Sequence, residues 1–158
     1  MNLIQKSFMK AAAKGFRPML SNMLVTMGDL CRAFYEKNGE EAIPIITEIM
    51  KKSGVKEAEN IRKMMPVKDM KDVGELFNIM DGIMEMGMEV VEISDKSIHV
   101  KLPGCNLGLD GTSQELCGAS MAKEMQMIST LLGQEMDSKI IKSVAAGDKE
   151  CEAIFSVK

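Results

Sequence analysis

The spacing of hydrophobic residues changes about halfway along the chain. Through residues 1–87, apolar residues recur at three- and four-residue intervals, as in helices that bury one side. From residue 88 onward, short runs alternate between apolar and polar residues, as in half-buried strands. The pattern predicts a single domain, 1–158, with a helical part (1–87) and a cysteine-containing β-rich part (88–158).

The helical part is predicted to contain a short amphipathic N-terminal segment and four helices. The first follows Pro18 and carries an apolar stripe from Leu20 to Phe34. The second opens with acidic residues after Asn38-Gly39 and ends at Gly54. The third is "KEAENIRKMM", which stops before Pro66, and the fourth is "DMKDVGELFNIMDGIMEMG".

The β-rich part is predicted to have the order ββαββ. "MEVVEI" and "SIHVKL" form a first hairpin, in which His99 and Lys101 occupy the polar face of their strand. "TSQE" predicts a capping box, with Thr112 as N-cap of a helix that runs towards Leu132. "MDSKIIKSVAAGDKECEAIFSVK" forms a second hairpin. The predicted fold class is α+β, a four-stranded antiparallel sheet with helices packed on it.

Charge and hydrophobicity indicate which classes of partner the protein is expected to bind. The net charge is −3 and the basic residues are scattered, which argues against a nucleic-acid partner. No apolar run is long enough to suggest a membrane span, and the N-terminus does not resemble a signal peptide. We therefore expect a cytoplasmic protein with reduced cysteines. A small-molecule ligand is the expected partner, and association into a homodimer is an open alternative to a monomer.

Methionine is abundant, with 17 residues in a chain that has no tryptophan. Its flexible, polarizable side chain fills irregular cores and also lines adaptable apolar pockets. The core interpretation is the simpler one, and the pocket interpretation stays open. So many oxidisable thioethers are compatible with an anaerobic cell.

Three cysteines of the β-rich part are candidate metal ligands. Cys105 leaves the second strand, Cys117 lies one turn into the following helix, and Cys151 begins the last strand. These positions can converge at one end of the sheet, where three thiolates suit zinc or, alternatively, an iron–sulfur cluster. His99 is a candidate fourth ligand, although a lone histidine on a polar face is usually exposed.

Two other interpretations of the cysteines remain open. Cys117 is also a candidate catalytic nucleophile, because the start of a helix lowers a thiol pKa. Alternatively, all three are inert core residues, as Cys31 is expected to be from its place on an apolar helical stripe.

Several segments resemble a known family. "YEKNGEEAIPIITEIMKKSG", "IHVKLPGC", "ELCGA" and "AAGDKECEAIF" resemble, in order, segments of proteins related to L-2-amino-thiazoline-4-carboxylate hydrolase, over residues 33–158. The last segment is also similar to the 4-vinyl-reductase-type small-molecule-binding domain, which has the broad fold of some transport-particle subunits. The resemblance implies an apolar pocket between sheet and helices, with a metal near the cysteines.

The resemblance assigns site residues incompletely. Cys117 and Cys151 match zinc ligands of aromatic-sensing relatives, whereas Ile140 and Ser143 stand where those sensors carry a glutamate and a cysteine. Cys105 would have to supply a replacement ligand.

These observations leave three functional hypotheses. The first is a metal- or thiol-dependent hydrolase that acts on a small C–N or C–S substrate. The second is a non-catalytic sensor or carrier of a small apolar or aromatic ligand, with a structural metal. The third is a structural protein without metal.

Overall fold

The computed structural model describes the backbone of residues 3–158 and the side chains of residues 14–158. It confirms an α+β fold with a helical N-terminal half followed by a β-rich half. The helices are α1 (Leu3–Asn38), α2 (Ala42–Met64), α3 (Met70–Met84) and α4 (Gln114–Leu132), and the strands are β1 (Glu89–Ile93), β2 (Ser97–Leu102), β3 (Met136–Lys142) and β4 (Cys151–Val157). Single 3-10 turns occupy Gly39–Glu41 and Val144–Ala146.

The four strands form one antiparallel sheet in the order β1-β2-β4-β3. In its centre, Val100 pairs with Ala153 and Leu102 pairs with Cys151, so these side chains share the helix-covered face. Ile98, Val100 and Phe155 are buried there together with residues of α3 and α4. Helix α4 lies between the sheet and α2, which packs along it extensively.

The predicted break at Pro18 is wrong, because α1 is one continuous helix with Pro18 inside it. Proline removes a single backbone hydrogen bond, and the long helix is held by other contacts. The Nε of Arg17 donates to the carbonyl of Ile83 at 2.9 Å, and its guanidinium pairs with Glu85. The short amphipathic helix predicted for residues 1–16 is, from Leu3 onward, the first part of α1, and the side chains of residues 1–13 lie outside the described residues.

The predicted end of a helix at Gly54 is also wrong, because α2 continues through it and joins the second and third predicted helices. Gly54 is buried, and a Cβ added there would overlap the Lys123 carbonyl of α4. The glycine therefore permits close helix packing rather than termination.

The cap of α4 is shifted by one residue from the prediction. Ser113 is the N-cap, and its hydroxyl accepts a hydrogen bond from the Leu116 N–H at 3.1 Å. The Thr112 hydroxyl instead donates to the Leu109 carbonyl at 2.7 Å. Within the described part of the chain, no helix combines the length and hydrophobicity that a membrane crossing requires.

Candidate functional site

The loop that carries Cys105 is fixed to α1. Arg32 donates through Nη2 to the carbonyls of Gly108 and Asp110, the latter at 3.1 Å. Gly28 faces the same loop so closely that a Cβ there would overlap the Leu107 carbonyl. Within the loop, the Leu109 N–H donates to the Cys105 sulfur at 3.3 Å. Helix α1 thus determines where this thiol lies.

A tight turn positions Cys151. The Ser143 N–H donates to the Asp148 carboxylate at 2.8 Å, and the Asp148 N–H donates to the Ser143 carbonyl at 3.0 Å. Gly147 adopts φ +102°, a conformation that side chains disfavour. Burial raises the pKa of the Cys151 thiol, and the Val144 backbone N–H, which the closed turn brings to the thiol, only partly offsets this effect.

The three thiols influence one another electrostatically. Burial raises the pKa of Cys117 most strongly, and Cys105 raises it further. Burial likewise raises the pKa of Cys151, and the charges of Cys117 and Cys105 add to this effect. The loop, the start of α4 and the start of β4 therefore bring Cys105, Cys117 and Cys151 within electrostatic range of one another.

Two residues named in the sequence analysis, Ile140 and Ser143, lie near Cys117 and the start of α4. The Ser143 hydroxyl lies close enough to the Cys117 thiol to lower its pKa, yet it is buried without a conventional hydrogen-bond partner. The Ile140 side chain lies 3.6 Å from the position of a Cβ on Gly118. Ile140 and Ser143 thus both lie beside the start of α4.

These residues only partly fit a metal. Three thiols are suitable donors for zinc, and the unpartnered Ser143 hydroxyl lies beside one of them, Cys117. Among the described residues, however, no three histidine, cysteine, aspartate or glutamate side chains are arranged to hold a metal ion. Zinc or an iron–sulfur cluster at these cysteines stays a prediction.

Cys117 lacks the environment of an activated nucleophile. It follows the first turn of α4, with its N–H bonded to the Ser113 carbonyl at 3.1 Å. Its pKa is nevertheless raised, because burial and the Glu124 carboxyl oppose the helix-start effect. The protonated thiol is therefore the favoured form at neutral pH.

The structure does not bring His99 to the cysteines. Its side chain lies on the opposite face of the sheet from Leu102 and Cys151, as alternation along β2 requires. There His99 Nε2 lies 2.8 Å from the Glu152 carboxylate, which also pairs with Lys142 at 3.0 Å.

Lys142 completes this network by pairing with Glu150 at 2.6 Å. Hydrogen bonds that the Lys142 ammonium donates to the carboxylates of Glu150 and Glu152 raise the pKa of Lys142 to about 12. The ammonium of Lys142 in turn is the largest cause that holds the pKa of Glu152 below its usual value. This side of the sheet therefore carries an ionic network separate from the thiols.

A line of half-buried residues runs along α4 away from the thiols. Cys117, Met121 and Glu124 follow one another at intervals of four and three residues, so they share one side of the helix. Cys117 packs against the hydrophobic cluster beneath α1, and Met121 packs against the sheet cluster. The line thus crosses from one hydrophobic cluster to the other.

Glu124 was not singled out from the sequence. Desolvation raises the pKa of its carboxyl to about 7, and among the described residues no ion pair holds it. The neighbouring Lys123 forms its ion pair with Glu57 at 2.6 Å, and its charge only partly offsets the effect of desolvation on the pKa of Glu124. In the sequence, the seven-residue interval between Cys117 and Glu124 indicated that they share one side of the helix. Adjacent lysine and glutamate residues in a helix, however, ordinarily indicate a solvated surface.

Comparisons with known proteins support the architecture. No protein-family model and no curated protein matches the sequence, so membership of the hydrolase-like family stays a prediction. Among solved structures, the chain is similar to the phenol-responsive sensory domain of the transcription activator PoxR, solved with phenol. The match has a TM-score of 0.64 and 15% identity, and it covers 85% of this chain and 74% of that one. The chain therefore has the fold of that sensory domain.

Proposed function

We propose that this protein binds a small, largely apolar molecule between α4 and the sheet, along the line Cys117–Met121–Glu124. The observation that carries the proposal is the desolvated Glu124 carboxyl at the end of that line, with no ion-pair contact among the described residues. Small-molecule sites typically combine apolar walls with a few placed polar groups. The likeness to a sensory domain solved with phenol supports the same activity.

Methionine side chains supply the apolar walls in this proposal. Met80, Met88, Met121 and Met125 are half-buried and pack against the cluster that contains Val100 and Ala153. Because methionine changes rotamer readily, these side chains can close over an empty site and open around a ligand. Met27 belongs to the second cluster, on the side of the thiols.

Glu124 defines the class of ligand. A desolvated carboxyl without a partner is stabilised in its charged form by a bound cation, and in its protonated form it donates a hydrogen bond to a neutral acceptor. The neighbouring thiols repel anions when they ionise. We therefore propose aromatic or aliphatic amines and amidines as the preferred ligands, ahead of carboxylic acids.

The test is thermal shift and calorimetry with three matched probes: benzylamine, benzyl alcohol and benzoate. We expect benzylamine to stabilise the protein most at pH 8 and benzoate least. Glu124→Gln should remove the preference for the amine, whereas Glu59→Gln, at an exposed position of α2, should retain it. If none of the probes binds and native mass spectrometry finds no retained small molecule, the proposal is wrong.

The second candidate function includes a metal at Cys105, Cys117 and Cys151, where the mutual influence of the thiols favours it. Zinc there would be structural or would activate water for hydrolysis of a C–N or C–S bond. Elemental analysis of protein purified without oxygen should then find about one zinc, or iron with sulfide, per chain. Cys151→Ser should abolish the metal content and Cys31→Ser should leave it intact, while absence of metal from the parent protein excludes this candidate.

A further inference from the structure

Helix α1 has a second apolar face besides the one that packs on the protein. Gly28 and Cys31 are buried on the inner side of the helix, and Arg17 reaches α3. On another side, large apolar residues stay exposed, at 62% for Met23 and 68% for Leu30. The outer face comprises Phe16, Met19, Met23, Leu30 and Phe34.

The spacing on this outer face is that of a coiled-coil seam. Phe16, Met19, Met23, Thr26 and Leu30 are separated by three, four, three and four residues, which reproduces the a and d positions of two heptads. A shallow groove follows the helix from Gly15 to Leu30, and Met19, Met23, Thr26 and Leu30 of the seam are among the residues that line it.

The outer face suits another helix of the same kind. From Phe16 to Leu30 the seam extends about 21 Å along α1, an elongated shape that matches a second helix better than a concave small-molecule site. The seam positions carry no charge, so two copies would bring no like charges together across it. The nearest acidic residues, Asp29 and Glu36, fall on its flank.

The area available is enough for a symmetric pair. The exposed parts of five large side chains amount to roughly 500 Å² per copy. Two copies would then bury at most about 1,000 Å², the lower limit for a specific interface. We infer that the outer face of α1 packs against the same face of a second copy of this chain, so that the protein is a dimer with a two-helix seam.

Sedimentation equilibrium and light scattering of the full chain test this inference. At about 10 µM, a concentration suited to interfaces of micromolar or tighter affinity, we expect twice the chain mass of 17.4 kDa. Met23→Glu combined with Leu30→Glu should give a monomer with unchanged circular dichroism, because both side chains are exposed within one chain. The milder Met23→Gln and Leu30→Gln variants should each weaken self-association at least tenfold and test the seam if the double variant does not fold.

A matched variant on the sheet separates this seam from general surface hydrophobicity. Ile141 is 41% exposed on β3, so Ile141→Glu makes the same chemical change away from α1 and should leave the dimer intact. A monomeric parent protein would overturn the inference. It would also be overturned if the α1 variants stayed dimeric, or if Ile141→Glu dissociated the dimer as strongly as they do.

Discussion

Gly54 of α2 lies directly against the backbone carbonyl of Lys123 in α4, where a Cβ would overlap the oxygen. The two helices therefore touch at a point that only glycine allows. We expect Gly54→Ala to lower the free energy of unfolding by about 1–3 kcal/mol, because backbone atoms must separate to admit the methyl group. Urea denaturation measures the change.

Gly118 provides the control for Gly54. It also lies inside a helix, but a Cβ there would meet only the Ile140 methyl group at 3.6 Å, an ordinary contact. Gly118→Ala should therefore be neutral or stabilise by up to about 1 kcal/mol, from the higher helix propensity of alanine. Equal effects at Gly54 and Gly118 would contradict the close contact.

Glu124 should make stability decrease as the pH rises. Desolvation raises the pKa of its carboxyl from 4.5 to about 7, so between these values the folded protein binds more protons than the unfolded chain. The free energy of unfolding then falls from pH 4.5 to 7 and levels off above, by up to about 3 kcal/mol. We expect Glu124→Gln to remove this pH dependence of the free energy of unfolding and to be more stable than the parent protein at pH 8.

The control for this pH dependence is Glu59→Gln, since Glu59 is exposed on α2. Its denaturation curves at pH 5 and pH 8 should differ by the same amount as those of the parent protein. A parent-like slope in Glu124→Gln would show that other groups cause the pH dependence.

Reactivity of Cys117 provides a separate measure of its environment. Burial, Cys105 and Glu124 raise the pKa of this thiol, so its alkylation by iodoacetamide at pH 7 should be slow and should accelerate as the pH rises. Removing the Glu124 charge lowers that pKa, and we expect Glu124→Gln to accelerate alkylation of Cys117 at pH 8. Peptide mass spectrometry gives the rate for each cysteine, and a slower Cys117 in this variant would refute the coupling.

Because Ser113 is the N-cap of α4, its substitution by alanine and by aspartate should affect the free energy of unfolding differently. Ser113→Ala removes the acceptor for the Leu116 N–H and should cost about 1 kcal/mol of unfolding free energy. Ser113→Asp retains an acceptor and adds a negative charge at the helix start, so it should stay close to the parent. Thermal unfolding of the two variants checks this, and equal losses would argue against Ser113 as the cap.

The site could be predicted from the sequence only in part. The cysteine positions at a strand exit, a helix start and a strand start predict that the thiols approach one another, and their role as metal ligands stays a prediction. The alternation of β2 was sufficient to place His99 on the polar face. Glu124 and the Ser143 hydroxyl could not be recognised, because their desolvation depends on how α4 lies over the sheet.

The sequence by itself determined the division into helices and strands, the two hairpins and the α+β class, because these depend on local periodicity and turn residues. The tertiary structure decided the roles of Gly54 and Pro18, which from the sequence were expected to interrupt helices. Gly54 permits a helix contact instead of ending a helix, and Pro18 lies inside a helix that packing holds together. Local propensities are worth about 1 kcal/mol at a glycine and about 3 at a proline. Burial of an amphipathic helix face can outweigh both, and only the assembled fold shows where it does.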